Sequence, residues 1–180
     1  VIPAVSCAMT LADLKLRVYE RLEDDGTYFT ANEVRHALNA AQNLFALLTL
    51  CIERTATVFL SPGQTFYRIS DISINDYIVP LRLTTDAGVR IRPATIHQLD
   101  GRSSSWRATP GVPTDYVAMG YDLLALTPQP AEADFELISS LRLTYAAMPT
   151  AMTLDTNAAE IPDEQQVHLV DYACWWLRLK

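Results

Sequence analysis

The sequence predicts an α+β fold: two antiparallel N-terminal helices and a C-terminal helix form a small bundle, with an antiparallel β sandwich or partial barrel inserted between them. Three observations predict it. Apolar residues recur at helical spacing at both ends of the 180-residue chain. The period changes at Thr55, where β-branched and apolar residues begin to cluster. The β-patterned runs then follow one another across turns, not helices, which excludes a doubly wound parallel sheet. On this division residues 1–54 with 160–180 make the bundle, and 55–159 make the β region.

The first helix opens at Thr10, a good N-cap, with Asp13 adding negative charge to the first turn. Leu11, Leu14, Val18 and Leu22 form a single apolar stripe, and Gly26 is free to take a left-handed turn after it. The second helix opens on a capping box, Thr30-Ala31-Asn32-Glu33. Its stripe runs Val34, Ala37, Leu38, Ala41, Leu44, Phe45, Leu48 and Cys51. The short link over 26–29 makes the two helices antiparallel neighbours. Runs 55–60 and 65–69 around Ser61-Pro62-Gly63-Gln64 read as a β-hairpin. Strands are predicted over 77–83 and 89–96 about a turn at 85–88, then a loop over 101–113. Further strands are predicted over 115–119, 121–126 and 135–145, with Gly120 as a tight turn. Residues 149–161 are a connection of low charge, and a last helix starts at Pro162 with Val167, Val170, Cys174 and Leu177 as its stripe.

Apolar residues make up 49% and charged residues 19%, which excludes a disordered chain. The longest uncharged apolar run, residues 44–52, is too short for a transmembrane helix. Basic residues number 14 and acidic residues 21, for a net charge of −7, which argues against the broad basic footprint of a DNA binder. Residues 1–53 and 149–180 each carry −3, and the middle is nearly neutral and built on arginine. Three scattered cysteines, Cys7, Cys51 and Cys174, make no disulfide framework, and the last two read as small buried apolar residues. The chain starts without a basic segment, unlike a signal peptide. It also starts without Met and ends in an uncapped helical pattern, so both natural ends are expected to extend further.

Motifs for chemistry are missing. His36, His97 and His168 sit apart, on a helix, at a strand end and on the last helix, with no spacing that would gather three or four metal ligands. There is no G-x-S-x-G elbow and no phosphate-binding glycine pattern. No catalytic, cofactor or metal residue is nominated. The candidates are contact residues. Trp106 between Arg102 and Arg107, on an exposed loop, has the composition of an interface hot spot; the alternative is a tryptophan folded back as a loop anchor. Trp175 and Trp176 cannot face the same way on a helix, so one should enter the bundle and the other await a neighbouring chain or a further C-terminal segment. Arg90 and Arg92 alternate on one strand face, toward solvent or toward an anionic partner.

The order of elements and a series of local patterns resemble the head-to-tail adaptor, or connector, proteins of tailed bacteriophages, particularly the short-tailed ones. The resemblance spans nearly the whole chain. It is carried by Thr10-Leu11-Ala12-Asp13-Leu14, Phe29-Thr30-Ala31-Asn32-Glu33-Val34, Leu38-Asn39-Ala40-Ala41-Gln42 and Gly63-Gln64-Thr65-Phe66-Tyr67. Pro113-Thr114-Asp115-Tyr116, Gly120, residues 124–130 and Ile161-Pro162 follow in the same order. Such proteins usually carry a tryptophan just before the second helix, where this chain has Tyr28-Phe29. The resemblance implies a non-enzymatic virion protein, assembled in the bacterial cytoplasm and placed at the head–tail junction. It implies a homo-oligomeric, dodecameric ring bound to the portal protein and to tail or nozzle proteins. DNA would pass through without specific binding, with no cofactor and no membrane partner. The rival readings are a small cytosolic α+β enzyme or ligand-binding domain, which would show a pocket lined by His97, Tyr116 and an acid, and another tail-tube or nozzle subunit.

Overall fold

A computed structural model of the chain describes residues 9–72, 74–134 and 138–180. Cys7 and the predicted start of a strand at 135–137 lie outside these residues. The chain forms two compact units, one from the described part of residues 1–52 together with Met148–Lys180, the other from Glu53–Ala147. The fold is α+β, as the sequence predicts.

The helical unit holds α1 (Leu11–Leu22), α2 (Ala31–Thr49) and α4 (Gln166–Arg178). Both expected N-caps form full capping boxes, Thr10 with Asp13 and Thr30 with Glu33. Leu11, Leu14 and Val18 of α1 meet Val34, Ala37, Leu38 and Ala41 of α2 in one core. The contribution of α4 differs from the expected stripe: Leu169, Val170, Ala173, Cys174 and Leu177 are buried, whereas Val167 is exposed. Cys51 is also exposed, because α2 ends at Thr49 with Leu50 in the left-handed conformation as its cap.

Residues 148–162 cross this unit with no helix or strand of their own. Buried backbone without a ladder needs other partners, and helix amides supply many of them. Asn39 donates to the Met152 carbonyl at 3.0 Å and accepts from its N–H at 2.8 Å. Gln42, fully buried, donates to the Thr150 carbonyl at 3.1 Å and accepts from the Glu160 N–H at 3.2 Å. Gln166, also fully buried, donates to the Ile161 carbonyl at 2.9 Å and accepts from the Met9 N–H at 2.8 Å. The strap repays α1. An α-helix leaves its first four N–H groups without intrahelical partners. Here Leu11 donates to the Asn157 carbonyl, Ala12 to the Asp155 carbonyl, Asp13 to the Thr10 hydroxyl, and the Thr10 N–H itself to the Asp13 carboxylate.

The β unit is a curled, half-barrel sheet in the order β1-β9-β3-β4-β6-β7-β2. Its strands are β1 (Glu53–Phe59), β2 (Phe66–Arg68), β3 (Tyr77–Thr85), β4 (Arg90–Pro93), β6 (Asp115–Met119), β7 (Leu123–Thr127) and β9 (Ser140–Ala147). A separate pair joins β5 (Pro110–Gly111) to β8 (Gln129–Pro130). The β3–β4 and β6–β7 hairpins form as expected, the latter through Gly120 at φ 65°.

The expected hairpin at 55–69 does not form. β1 pairs with β9 and β2 with β7, so the two runs become the opposite edges of the sheet. The turn chemistry explains this. Pro62 followed by Gly63 at φ 74° suits a type II turn, whose twist splays flanking strands. The turn is held instead by Tyr67, whose hydroxyl bonds both the Ser61 N–H and carbonyl, and by the Gly63 N–H donating to Pro130. Only residues 60–65 join the two edges. Seven flat strands about 4.8 Å apart would separate those edges by roughly 29 Å, beyond the ~25 Å such a link reaches fully extended. The sheet therefore has to curl.

A second correction concerns residues 89–102. The strand stops at Pro93, and α3 (Ile96–Arg102) follows, so His97 lies on a helix and not at a strand end. Its capping box, Thr95 with Gln98, is a T-x-x-Q signal present in the sequence. The α3 crossover returns the chain so that β4 and β6 pair in parallel, in an otherwise antiparallel sheet.

Asn39→Leu should orphan both the N–H and the carbonyl of buried Met152, at roughly 1–3 kcal/mol for each group. Urea unfolding should show this loss with little change in slope.

Candidate interaction surfaces

Among the described residues no group of three or more His, Cys, Asp or Glu converges as metal ligands do. Among these residues no helix is long and apolar enough to cross a membrane. An open groove of about 360 Å³ on the β unit is lined mainly by apolar residues such as Val89, Val112, Pro113 and Ile138, with Arg90 and Arg92 among them. His97 and Tyr116 do not line it, and Tyr116 is buried.

The structure redistributes the five nominated contact residues. Trp106 is only 3% exposed, on a short 3-10 turn, Trp106–Ala108. It packs with Leu99, Val117 and Ala125, and its indole N–H donates to Asp100 Oδ1 at 2.8 Å. The expected exposed hot spot is therefore an internal anchor; burying the ring against α3 and the sheet outweighs leaving it in water. Arg107 lies over that ring, 5.1 Å from its centroid. Arg102 joins a cluster around Asp115, which is 6% exposed. Arg92 grips this carboxylate as a fork, Nε to Oδ1 at 3.2 Å and Nη2 to Oδ2 at 3.3 Å. Arg102 adds a 3.5 Å contact and the Thr114 hydroxyl donates at 2.8 Å. Arg92 and Asp115 are also register partners across the parallel β4–β6 junction, so the cluster fastens that junction and the end of α3. Arg92 faces a carboxylate of its own chain.

Trp175 and Trp176 behave differently. Neither enters the bundle: they are 55% and 43% exposed. The inward positions of α4 are taken by Leu169, Val170, Ala173, Cys174 and Leu177, which leaves both tryptophans on the outer arc. Tyr172 packs against Trp175 with the rings tilted by 49° and their centroids 5.4 Å apart. Leu179, 67% exposed, and exposed Tyr28 extend the apolar area. Beside them Lys180 pairs with Glu33 and lies 5.9 Å from the rings of Tyr28 and Phe29. The Lys180 ammonium, and then the Thr30 amide and hydroxyl, pull the Glu33 carboxyl down to about 2. The signal that tells the two kinds of tryptophan apart is context. Trp106 follows a helix whose Asp100 can accept its N–H, whereas Trp175 and Trp176 flank a complete inward stripe.

Two measurements follow. Trp106→Ala should cost about 3–5 kcal/mol in urea unfolding, while Trp175→Ser or Trp176→Ser should stay within about 0.5 kcal/mol at low protein concentration. Ionised Glu33 favours the folded state above its unfolded value of about 4.5, and that contribution fades as pH falls toward about 2. Glu33→Gln should therefore show a flatter fall in thermal midpoint across that window than the wild type.

No curated protein matches the chain. A family model described as SU10 adaptor protein matches residues 9–179. The chain belongs to that family of bacteriophage head-to-tail adaptors, structural virion components of tail assembly.

Proposed function

We propose that this adaptor is a non-enzymatic subunit of a dodecameric ring that joins the portal to the tail of a short-tailed phage and encloses the DNA exit channel. The observation that carries the reading is the family match, which takes in both units of the chain. A ring needs faces that other copies or the portal can cover, and the outward Trp175 and Trp176 offer large apolar area on one helix. The charge suits a conduit: a net −7, with its excess in residues 1–53 and 149–180, repels phosphate. Three arginines of the middle segment are engaged internally, Arg54 with Asp76 and Arg92 and Arg102 with Asp115. The partners are other copies, the portal protein and tail or nozzle proteins, met in the host cytoplasm during assembly. No cofactor enters this role.

The test is the mass of the purified protein alone and with its portal, across a range of salt. A closed ring that binds the portal is expected. A chain that neither forms a ring nor binds the portal at any salt concentration overturns the reading.

A further inference from the structure

Arg82, Arg90 and Arg142 make no ion pair among the described residues, and the sheet gathers them on one face. Leu143, Leu83 and Ile91 are register partners across β9, β3 and β4 and are buried. Their chain neighbours Arg142, Thr84 and Arg90 are register partners too, so they lie on the opposite face, where β1 adds Thr57. Arg82, two residues before Thr84 on β3, is a diagonal neighbour of both Arg142 and Arg90. Such positions are roughly 7–8 Å apart, within reach of long side chains. All three arginines are exposed, around half-buried Thr84.

In these four strands and the β3–β4 turn the carboxylates are Glu53, which opens β1, and Asp86, which accepts from the Ser140 hydroxyl. Nearby Asp115 is taken by Arg92 and Arg102. Like charges gathered on one face repel, and an outside anion relieves them. The surroundings mark that anion as part of a protein. Phe59, 75% exposed, shares the face with Thr57, and the groove holding Val89 and Val112 opens beside Arg90.

The helical unit supplies a complement. On α1, Leu16, Glu20 and Glu23 fall at i, i+4 and i+7 and line an open hollow of about 440 Å³ that no basic side chain lines. Leu16 is 59% exposed there. Asp24 is turned to the Tyr28 and Phe29 amides, whereas Glu20 and Glu23 are exposed and make no ion pair among the described residues.

We propose that the arginine face of the β unit in one copy docks on the α1 hollow of the next, with Arg82, Arg90 and Arg142 against Glu20 and Glu23. Like-to-like contacts are disfavoured, since they would oppose arginine to arginine or carboxylate to carboxylate. Joining unlike patches makes a heterologous contact, the kind that closes into rings. The inference rests on the ring reading and names the surfaces that build the ring.

The experiment uses the full chain and native mass measurement, with circular dichroism to check folding; every altered side chain is exposed. R82E/R142E makes the β face acidic, and E20K/E23K makes the hollow basic. Each variant alone should self-associate roughly tenfold or more weakly than the wild type, because each opposes like charges at the contact. Their equimolar mixture should recover assemblies holding both variants in equal number, since each acidic face then meets a basic hollow and each native face a native hollow. The neutral pair R82Q/R142Q should weaken association in the same direction, and it carries the test if a reversal disturbs folding. The inference is overturned if the reversed variants assemble as the wild type does, or if the mixture does no better than its components. It is also overturned if R82E/R142E loses binding to duplex DNA while its assembly is unchanged, which makes the face a phosphate contact. With a wild-type ring present, all three results leave the ring reading standing. A wild type that forms no ring, even with portal present, overturns that reading itself and this inference with it.

Discussion

The strap of residues 148–162 sets the terms for the helical unit. Most of the strap's residues are exposed, and where Met152, Ala159 and Ile161 turn inward the backbone beside them needs side-chain partners in place of a ladder. Asn39, Gln42 and Gln166 are those partners, each acting as donor and acceptor at once, which an amide can do and a carboxylate or ammonium cannot. In return the strap's carbonyls at Asp155 and Asn157 take the first two amides of α1. Cap, strap and core are thus one system. Met152, Ala159 and Ile161 enter the apolar core only because the polar backbone around them is satisfied. Asn157 completes the arrangement locally, its side-chain oxygen accepting the Thr153 and Leu154 amides.

The β unit solves a similar problem with charge. Its parallel junction is short, two register pairs between β4 and β6, and parallel pairing is the weaker kind per residue. A buried carboxylate is costly unless it is gripped on several sides. Asp115 is gripped by a forked Arg92, by Arg102 and by Thr114. Arg54, Arg92 and Arg102 of the middle segment are therefore fasteners within the chain. Another acid, Asp76, holds Arg54 and accepts from the Tyr145 hydroxyl at 3.1 Å, which links β1 and β9 to the segment before β3.

What the sequence shows follows from how local each signal is. The caps at Thr10 and Thr30 are read within four residues, and both form. The capping box at Thr95 is equally local, but it sits at the end of the run 89–96 whose β-branched and apolar residues predict a strand. Pairing partners are not local. Nothing within 55–69 tells β1 that its partner is β9, some eighty residues on, and the Pro-Gly turn mimics a hairpin while splaying its strands. The amides are the more instructive case. Asn39 and Gln42 lie in the run 38–42 that carries the family resemblance, yet on a helical wheel they look like ordinary polar positions. Their role is set by a strap more than a hundred residues away.

The tryptophans show how exposure becomes informative once the core is complete. A single exposed apolar side chain means little, because much of any folded surface is apolar. Trp175 and Trp176 are different, since α4 already fills its inward arc with five apolar side chains and has no packing use for two more. Trp176 shares a hollow with Leu179 and Lys180, and Lys180 lies over exposed Tyr28. A chain under no demand to associate would be better served by polar residues there, which solubilise a helix at no loss to its core. Of the carboxylates near exposed Leu16, Asp24 accepts the Tyr28 and Phe29 amides and so ties the link between α1 and α2, as Arg21 ties α1 to α4. The internal fasteners are satisfied within the protomer, and Trp175 and Trp176 stand outside that system, which is why their exposure is not accounted for by folding alone.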